Sequence, residues 1–195
     1  MRTMPELVLA STSPYRRELL LRLGVPFACA APGVDEAAVK RALGDPAAVA
    51  TELARRKALA TAAQRPGAIV IGSDQCACLD GRILDKPGTA ATAHAQLAAL
   101  AGRTHELRTA VAIAHGGEVV EWTEVTRLSM RPLAMAEIER YVAADRPLDC
   151  AGSYKIEGLG ITLFERVDGA DWTAIQGLPL LRLAAELRRL GLALP

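Results

Sequence analysis

The sequence has 195 residues, of which 51% are hydrophobic, and its formal net charge at pH 7 is only +1. This length suits one large domain or two small ones with a substantial apolar core. A near-neutral chain without a basic stripe does not have the pattern of a dedicated nucleic-acid binder. No apolar run reaches transmembrane length, and the first apolar residues are too few for a signal peptide. We therefore expect neither a membrane span nor a leader.

The first predicted elements are a buried strand over residues 7–10 and a helix that begins directly after Ser13. Ser13 is the predicted N-cap, and the proline that follows it suits the first helical position. The hydroxyls of Ser11 and Ser13 would then lie beside the free backbone N–H groups of the first turn. Arg16 and Arg17 fall on the same turn. This combination is typical of an anion site and is best matched to phosphate.

Local chemistry alone leaves a second interpretation of this helix start open. Ser-Pro before a helix is ordinary capping chemistry, and paired arginines on a first turn are commonly solvated. The helix macrodipole, however, disfavours cations in a first turn, so two arginines placed against that gradient favour a bound anion.

The next stretch predicts a short strand, a turn with two adjacent carboxylates and a long helix. The strand covers residues 27–31, and the turn delivers the side chains of Asp35 and Glu36. The helix is predicted over residues 45–65, with an aspartate as N-cap and a proline at its first position. On its apolar stripe Lys57 stands where an aliphatic residue is expected, so this lysine must either reach solvent or meet an anion.

A continuous apolar run at residues 68–72 predicts a central strand covered on both faces. We expect this strand to end in the polar residues 73–75, and the chain to resume as a strand at residues 76–79. Ligands of open α/β sheets gather at the carboxyl ends of strands, so this end is a candidate site. Further along, Lys86 stands just ahead of a helix capped by Thr89.

The second half of the chain predicts a long hairpin, formed by residues 106–115 and 118–131 and joined by two glycines. Because hairpins and strand–helix units both occur, we predict one α/β domain over residues 1–195 with a mixed sheet. The remaining elements follow in chain order: a helix with Met135, Ile138, Tyr141 and Val142 inward, a glycine-rich stretch at 150–160, a strand at 161–167 and an amphipathic helix opened by Pro179.

The cysteines and histidines do not have the spacing of a metal site. A single Cys-Ala-Cys is a weak signal, and the three histidines are isolated, so we predict them to be structural or surface residues. We expect every cysteine to be a small buried apolar side chain in a reducing cytoplasm. The four cysteines are Cys29, Cys76, Cys78 and Cys150.

Polar residues at element ends or against the amphipathic pattern define the candidate site. They combine cations, hydroxyls and carboxylates, as a triphosphate-and-metal site requires. The chain lacks Walker, GxGxxG and GxSxG motifs, which argues against P-loop, Rossmann and hydrolase-elbow mechanisms. The candidates are Ser11, Ser13, Arg16, Arg17, Glu36, Lys57, Asp74, Lys86 and Glu157.

These residues fall into short motifs spread over essentially the whole chain. In order, the motifs are Ser11-x-Ser13-Pro-x-Arg16-Arg17, Val34-Asp-Glu36, Lys57, Gly72-Ser-Asp74, Lys86-Pro87 and Gly177-Leu-Pro179. Their order resembles the Maf family of nucleoside triphosphate pyrophosphatases. The resemblance implies a Maf/ITPase-like α/β fold, with an elongated central mixed sheet flanked by helices and two lobes around a cleft. It also implies hydrolysis of a nucleotide to its monophosphate and diphosphate with a divalent metal, Mg or Mn.

The resemblance further implies a role for each matching position. Asp74 is the proton acceptor, and Glu36 together with Asp74 is expected near the metal. Because a carboxylate is a weak base at pH 7, we favour metal-assisted action. The positions that bind phosphates are Ser11, Ser13, Arg16, Arg17, Lys57 and Lys86.

Within the family the chain resembles the branch that acts on 7-methyl-GTP, through Gly72-Ser-Asp-Gln75 with its Cys-x-Cys-Leu-Asp-Gly continuation and through Cys150-Ala-Gly-Ser-Tyr-Lys-Ile-Glu-Gly158. The dTTP/UTP branch usually carries Arg, Thr and Gln where this chain has Tyr15, Gln75 and Glu157. A carboxylate at Glu157 can accept guanine N–H groups and complement a cationic base, and Tyr15 can stack on that base. The branch more often carries Trp at position 15, a stronger cation–π partner, so a looser base preference stays open. Gln75 directly follows Asp74, so both can face one pocket only where the strand ends or bulges.

Two other functions stay open from the sequence. One is the same chemistry on dTTP, UTP or a modified pyrimidine, and the other is a non-catalytic, nucleotide-binding regulator of cell division. The family resemblance makes a cytoplasmic homodimer an expectation. The expected partner is a nucleotide, with neither nucleic acid nor membrane, and the expected role is removal of modified nucleotides.

Overall fold

The structure, a computed structural model, describes residues 5–194 and has the mixed α/β architecture that the sequence predicts. The strands in this part of the chain are β1 Leu7–Ala10, β2 Ala28–Cys29, β3 Ile69–Leu79, β4 Arg82–Leu84, β5 Thr104–His115, β6 Glu118–Met130 and β7 Phe164–Asp168. The α-helices are α1 Pro14–Leu21, α2 Glu36–Leu43, α3 Pro46–Ala62, α4 Ala90–Leu100, α5 Met135–Asp145 and α6 Leu180–Arg189.

The strands pair in the order β2-β1-β3-β5-β6-β7, and β4 pairs with β3. β1 runs parallel to both β2 and β3, with Val8 opposite Val70. β4 and β7 are antiparallel to their neighbours β3 and β6. The predicted mixed sheet is therefore confirmed. Within residues 5–194, no helix combines the length and apolar character needed to cross a membrane.

The chain divides into two compact units, which are described separately. The first unit holds the residues up to Asp74, Thr109–Glu124 and the residues from Asp171 onward. The second unit holds Gln75–Arg108 and Val125–Ala170. β3, β5 and β6 each contribute residues to both units.

The core of the first unit forms because the side chains of β1 and β3 alternate between two covered faces. On one face these strands join leucines of α1 and α6, as the amphipathic pattern of both helices predicts. Those buried residues include Leu7, Leu9, Ile69, Ile71, Leu19, Leu20, Leu183 and Leu187. The opposite face carries Val8, Ala10, Ala68 and Val70.

In the second unit, α4 packs against α5, and the buried stripe of α5 comprises Ile138, Tyr141 and Val142. The inward positions predicted for this helix are confirmed there. Met135 is an exception, because it is the first helical residue, lies one turn before the buried stripe and is 55% exposed.

Several predicted boundaries are wrong, and the strand expected at residues 27–31 is only the two-residue β2. The strand expected to end at residues 73–75 continues without a break to Leu79, because its polar side chains find partners described below. A helix, α2, begins where a turn was expected: Asp35 is its N-cap, and its carboxylate accepts the N–H of Ala38 at 2.9 Å. The long helix α3 ends at Ala62 rather than near residue 65.

The strand expected at residues 161–167 is shorter than predicted. Its first part is a 3₁₀ turn, Leu159–Leu163, in which the Thr162 hydroxyl donates to the Leu159 carbonyl at 2.8 Å, and β7 follows. The expected burial of the cysteines is confirmed for Cys76 and Cys78 only. Cys29 is exposed on the two-residue strand β2 and Cys150 is half-buried, and all four are free thiols.

Candidate functional site

The N-terminus of α1 forms as predicted. Ser13 is its N-cap, and the Ser13 hydroxyl accepts the backbone N–H of Arg16 at 3.4 Å. The backbone N–H of Ser13 in turn donates to the hydroxyl of Ser11, which is buried, at 3.1 Å. Among the described residues of this first turn none is acidic. The positive end of the helix therefore has the chemistry to hold a small anion.

The two arginines of this turn have different surroundings. Arg16 is half-buried, and its Nε–H donates to the carbonyl oxygen of Gly177 at 2.9 Å. Arg17 is exposed and Tyr15 is half-buried. A backbone carbonyl from near the C-terminus thus fixes one edge of the Arg16 guanidinium.

Lys57 is the centre of the charged part of the site. Its Nζ lies 2.7 Å from Oδ1 of Asp74 and 2.6 Å from Oε1 of Glu36. The side chains of Lys57 and Asp74 are 6% and 9% exposed, whereas that of Glu36 is 49% exposed. Of the two outcomes predicted for this lysine on an apolar stripe, the structure shows the second, an encounter with anions.

Each of these three charged residues comes from a different element. Glu36 opens α2, Lys57 lies within α3, and Asp74 extends from β3. Gly72 lies two residues before Asp74, so it occupies the same face of β3. A methyl group on Gly72 would collide with the carbonyl oxygen of Ala54 on α3. The missing side chain lets α3 approach β3 closely and brings Lys57 within reach of Asp74.

Two carboxylates that share one ammonium leave this group with a formal charge of −1. Carboxylate oxygens are the ligands that Mg²⁺ and Mn²⁺ prefer, and Mg²⁺ is usually held by one or two carboxylates plus water and substrate phosphates. Within the part of the chain that the structure describes, no cluster of three or more His, Cys, Asp or Glu could hold a metal ion. The pair Glu36 and Asp74 therefore fits an ion that is completed by substrate and water.

Ser73 was not singled out from the sequence, and the structure gives it a distinct role. Its side chain is fully buried, and its hydroxyl donates to the carbonyl oxygen of Gly177 at 2.9 Å. Successive residues of a strand alternate between faces, so Ser73 points away from the face of Asp74. The same alternation places Gln75 on the face of Ser73. Asp74 and Gln75 could share a pocket only if the strand ended between them. β3 instead continues to Leu79.

Three predicted site residues belong to the second unit. Gln75 is half-buried within β3, and Lys86 is exposed between β4 and α4. Glu157 is exposed in the turn at residues 156–158. Their roles stay predictions that rest on the family resemblance.

A buried aromatic cluster anchors the segment that carries Glu157, and the sequence analysis did not assign it a function. The hydroxyl of Tyr154 lies 2.8 Å from Nε2 of His105, and the Tyr154 ring meets the ring of Phe164 edge-on, with centroids 4.8 Å apart. Burial lowers the pKa of His105 to about 4, so this ring is neutral at pH 7. Burial also raises the pKa of Tyr154 well above its ordinary value.

Tyr141 holds the same segment from α5. Its hydroxyl accepts the backbone N–H of Lys155 at 2.9 Å, and burial raises its pKa well above the ordinary value. The Lys155 ammonium donates to the carbonyl oxygen of Asp145 at 3.2 Å. A methyl group on Gly158 would lie 3.1 Å from the Asp145 carboxylate, so the turn packs closely on the end of α5. The predicted inward position of Tyr141 was the one sequence signal for this arrangement.

These features define an α/β protein with a capped helix N-terminus suited to anions and a buried lysine shared by two carboxylates. The family comparison is more specific. The model of the Maf-like protein family matches residues 6–190, and the chain belongs to this family.

Curated relatives match almost the full length. A 7-methyl-GTP pyrophosphatase of Xanthomonas oryzae pv. oryzae (strain MAFF 311018) is 51% identical over 193 residues, covering 98% of this chain and 100% of the relative. Proteins of the same name from Pseudomonas syringae pv. tomato and Bdellovibrio bacteriovorus are 47% and 45% identical. The Pseudomonas alignment covers 98% of this chain and 100% of the relative, and the Bdellovibrio alignment covers 96% and 98%.

Proposed function

We propose that this protein hydrolyses 7-methyl-GTP to 7-methyl-GMP and diphosphate. The observation that carries the proposal is the near-full-length identity of 45–51% to proteins named for this activity. The charged group around Lys57 supports the same chemistry, because cleavage of a triphosphate needs a carboxylate near the attacking water, and the net negative charge of the group suits a divalent metal ion that would offset the charge of the phosphates.

The phosphate chain is bound by hydroxyls, backbone N–H groups and cations. At the start of α1, the positive end of the helix attracts a phosphate, which accepts from the guanidinium of Arg16, and the serine hydroxyls orient it. Lys57, which lies between the two carboxylates, offsets part of the negative charge of the phosphates. The full set of phosphate-binding residues in this proposal is Ser11, Ser13, Arg16, Arg17, Lys57 and Lys86.

In the reaction, a water oxygen forms a bond to the α-phosphorus, and the bond from that phosphorus to the oxygen bridging to the β-phosphorus breaks. Asp74 orients the water and accepts its proton, and diphosphate leaves with the bonding electron pair. Glu36 and Asp74 would hold a Mg²⁺ or Mn²⁺ ion, which supplies charge stabilisation for the phosphates. Lys57 keeps the Asp74 carboxylate in a defined position before substrate arrives.

The base is recognised by Tyr15 and Glu157 in this proposal, whereas the role of Gln75, on the face of β3 opposite Asp74, stays a prediction from the family resemblance. The Glu157 carboxylate accepts the N1–H and amino group of guanine and complements the positive charge of the N7-methylated ring. The Tyr15 ring stacks on the cationic base. We also propose that the chain acts as one Maf-like domain over residues 1–195 in the cytoplasm, as a homodimer that removes modified nucleotides.

A panel of nucleoside triphosphates assayed for diphosphate release, with Mg²⁺ or Mn²⁺, tests this function. We expect 7-methyl-GTP to give the highest kcat/KM. A preference for UTP or dTTP would establish the pyrimidine activity instead. Nucleotide binding without diphosphate release, for every nucleotide and both metals, would indicate a non-catalytic regulator. The Asp74→Asn variant is the matched control, because it keeps the side-chain volume and removes the carboxylate.

A further inference from the structure

The carbonyl oxygen of Gly177 accepts two hydrogen bonds at once, from Nε of Arg16 and from the hydroxyl of Ser73, both at 2.9 Å. We infer that Ser73 and Gly177 are positioning residues, which hold the Arg16 guanidinium in the orientation that binds phosphate. This inference rests on the proposed function, because it takes Arg16 as a phosphate ligand.

The two donors approach Gly177 from different parts of the fold. Ser73 lies on β3 and Arg16 lies in the first turn of α1. A carbonyl oxygen has two lone pairs, so one acceptor can serve both donors. The Ser73 hydroxyl occupies one of them and thereby restrains where the carbonyl points, and the other receives Arg16.

The turn that carries this carbonyl is held by several hydrogen bonds to a single buried carboxylate. The buried carboxylate of Asp171 accepts the N–H and the hydroxyl of Thr173, at 2.8 and 2.6 Å, and the N–H of Leu181 at 2.7 Å. Gly177 itself has a φ of +105°, a backbone conformation that residues other than glycine rarely adopt. A methyl group there would lie 3.4 Å from Nε of Arg16.

An arginine side chain has several rotatable bonds, and binding a phosphate requires one orientation of its planar fork of N–H donors. A contact at Nε restrains the fork from its inner edge before the ligand arrives. Such preorganisation raises affinity by removing part of the ordering cost of binding. Ser73 therefore acts on phosphate binding through Gly177, without touching the ligand.

Binding of inorganic triphosphate at constant magnesium, measured by titration calorimetry, tests the inference without requiring turnover or a base. We expect Ser73→Ala to weaken this binding about fivefold, the value of one ordinary hydrogen bond. In an Arg16→Met background the same substitution should change the affinity by less than about 1.5-fold, because the residue through which it acts is gone.

Thr109→Val is the matched control. The Thr109 hydroxyl also donates to a carbonyl of this turn, that of Ala174 at 2.8 Å, and it is equally buried. Valine keeps the shape and removes the hydroxyl. We expect a lowered melting temperature in both single variants, but unchanged triphosphate affinity in Thr109→Val. If Ser73→Ala does not fold, Gly177→Ala provides a second test, since alanine is strained at a φ of +105° and would shift the carbonyl that holds Arg16.

An affinity equal to that of the wild type in the folded Ser73→Ala variant would overturn the inference. Equal losses in the wild-type and Arg16→Met backgrounds would also overturn it, because they indicate a general structural effect. A wild-type protein that does not bind triphosphate would refute the phosphate role of Arg16 itself. A protein that binds triphosphate with the expected coupling between Ser73 and Arg16 but hydrolyses no nucleotide would refute the proposed function without contradicting this inference.

Discussion

The two units of this protein place their candidate site residues in different ways. In the first unit the residues are tied directly to one another: Lys57 to Glu36 and Asp74 by ion pairs, and Arg16 to Gly177 by a hydrogen bond. In the second unit the candidates Lys86 and Glu157 are exposed. In that unit, contacts among buried aromatic side chains hold the segment that carries Glu157.

This difference matches what most residues of each unit have to recognise in the proposed reaction; the exceptions are Lys86, which is proposed to bind phosphate, and Tyr15, which is proposed to stack on the base. A triphosphate has the same charge and geometry in every nucleotide, so residues fixed in advance by mutual contacts suit it. Bases differ from one another, so selectivity depends on a few side chains presented by a turn. Substitutions in the first unit should therefore change turnover and stability, whereas substitutions around Glu157 should change preference.

The largest effect is expected from Asp74→Asn. The amide cannot accept the proton of the attacking water, so kcat should fall by roughly 10²–10⁴-fold while nucleotide binding is retained. Diphosphate release and equilibrium binding of 7-methyl-GTP measure the two quantities separately. Residual activity above about a tenth of wild type would remove Asp74 from the catalytic role.

The second prediction concerns the ion pairs of Lys57. Lys57→Met removes the ammonium that pairs with both the buried Asp74 carboxylate and Glu36, and should lower the free energy of unfolding by about 3 kcal/mol. Urea denaturation measures this loss. Arg56→Met on the same helix is the control, because Arg56 is 54% exposed and its ion pair with Glu52 should contribute less than about 0.5 kcal/mol. Equal losses of unfolding free energy in the two variants would show that the ion pairs of Lys57 contribute no more than an exposed ion pair.

The third prediction is a pH dependence that arises in the second unit. The pKa of His105 is about 4 in the folded protein because of burial, below its ordinary value of 6.5. Between these values the unfolded chain binds a proton that the folded protein does not, so stability falls as the pH drops. The loss of stability begins below about pH 6.5, where the unfolded chain starts to bind this proton, and reaches about 3 kcal/mol at pH 4.

Denaturation curves at several pH values between 7 and 4 measure this loss. His105→Phe keeps a buried ring without a titrating group, so its stability should depend less steeply on pH by a similar amount. A slope unchanged from that of the wild type would show that another group titrates.

The smallest expected effect is on base preference. Glu157→Gln removes the charge and one of the two acceptor oxygens offered to a cationic guanine. The ratio of kcat/KM for 7-methyl-GTP to that for GTP should fall about tenfold. Glu165→Gln, another exposed carboxylate of the second unit, should leave the ratio unchanged. An unaltered ratio in Glu157→Gln would contradict the proposed specificity.

Local signals in the sequence predicted much of the first unit. Ser13 and the proline after it marked the start of α1, and the stripe of α3 placed Lys57 in the interior, as the structure confirms. Both depend on residues a few positions apart, where helical geometry dictates which side chains share a face. Polar residues at element ends also gave Lys86 and Glu157 as candidates in the second unit, the family resemblance added Gln75, and the roles of all three stay predictions.

The missed features depend on partners far apart in the chain. Polar residues at 73 and 74 predicted the end of a strand, but β3 continues because Asp74 meets Lys57 and Ser73 meets Gly177. The second of these contacts spans 104 residues. Periodicity within a window of a dozen residues carries no information about such pairs. The shared carbonyl of Gly177 was invisible for the same reason.

At Gly72, α3 approaches β3 so closely that no side chain fits between them, and this close packing affects the site. Gly72 offers no functional group to any ligand, yet the position of the Lys57 ammonium depends on its missing side chain. Engineered libraries that aim at new nucleotide preferences should therefore leave Gly72 and the neighbouring Ala54 and Ala58 unchanged, and place diversity on the exposed turn of the second unit.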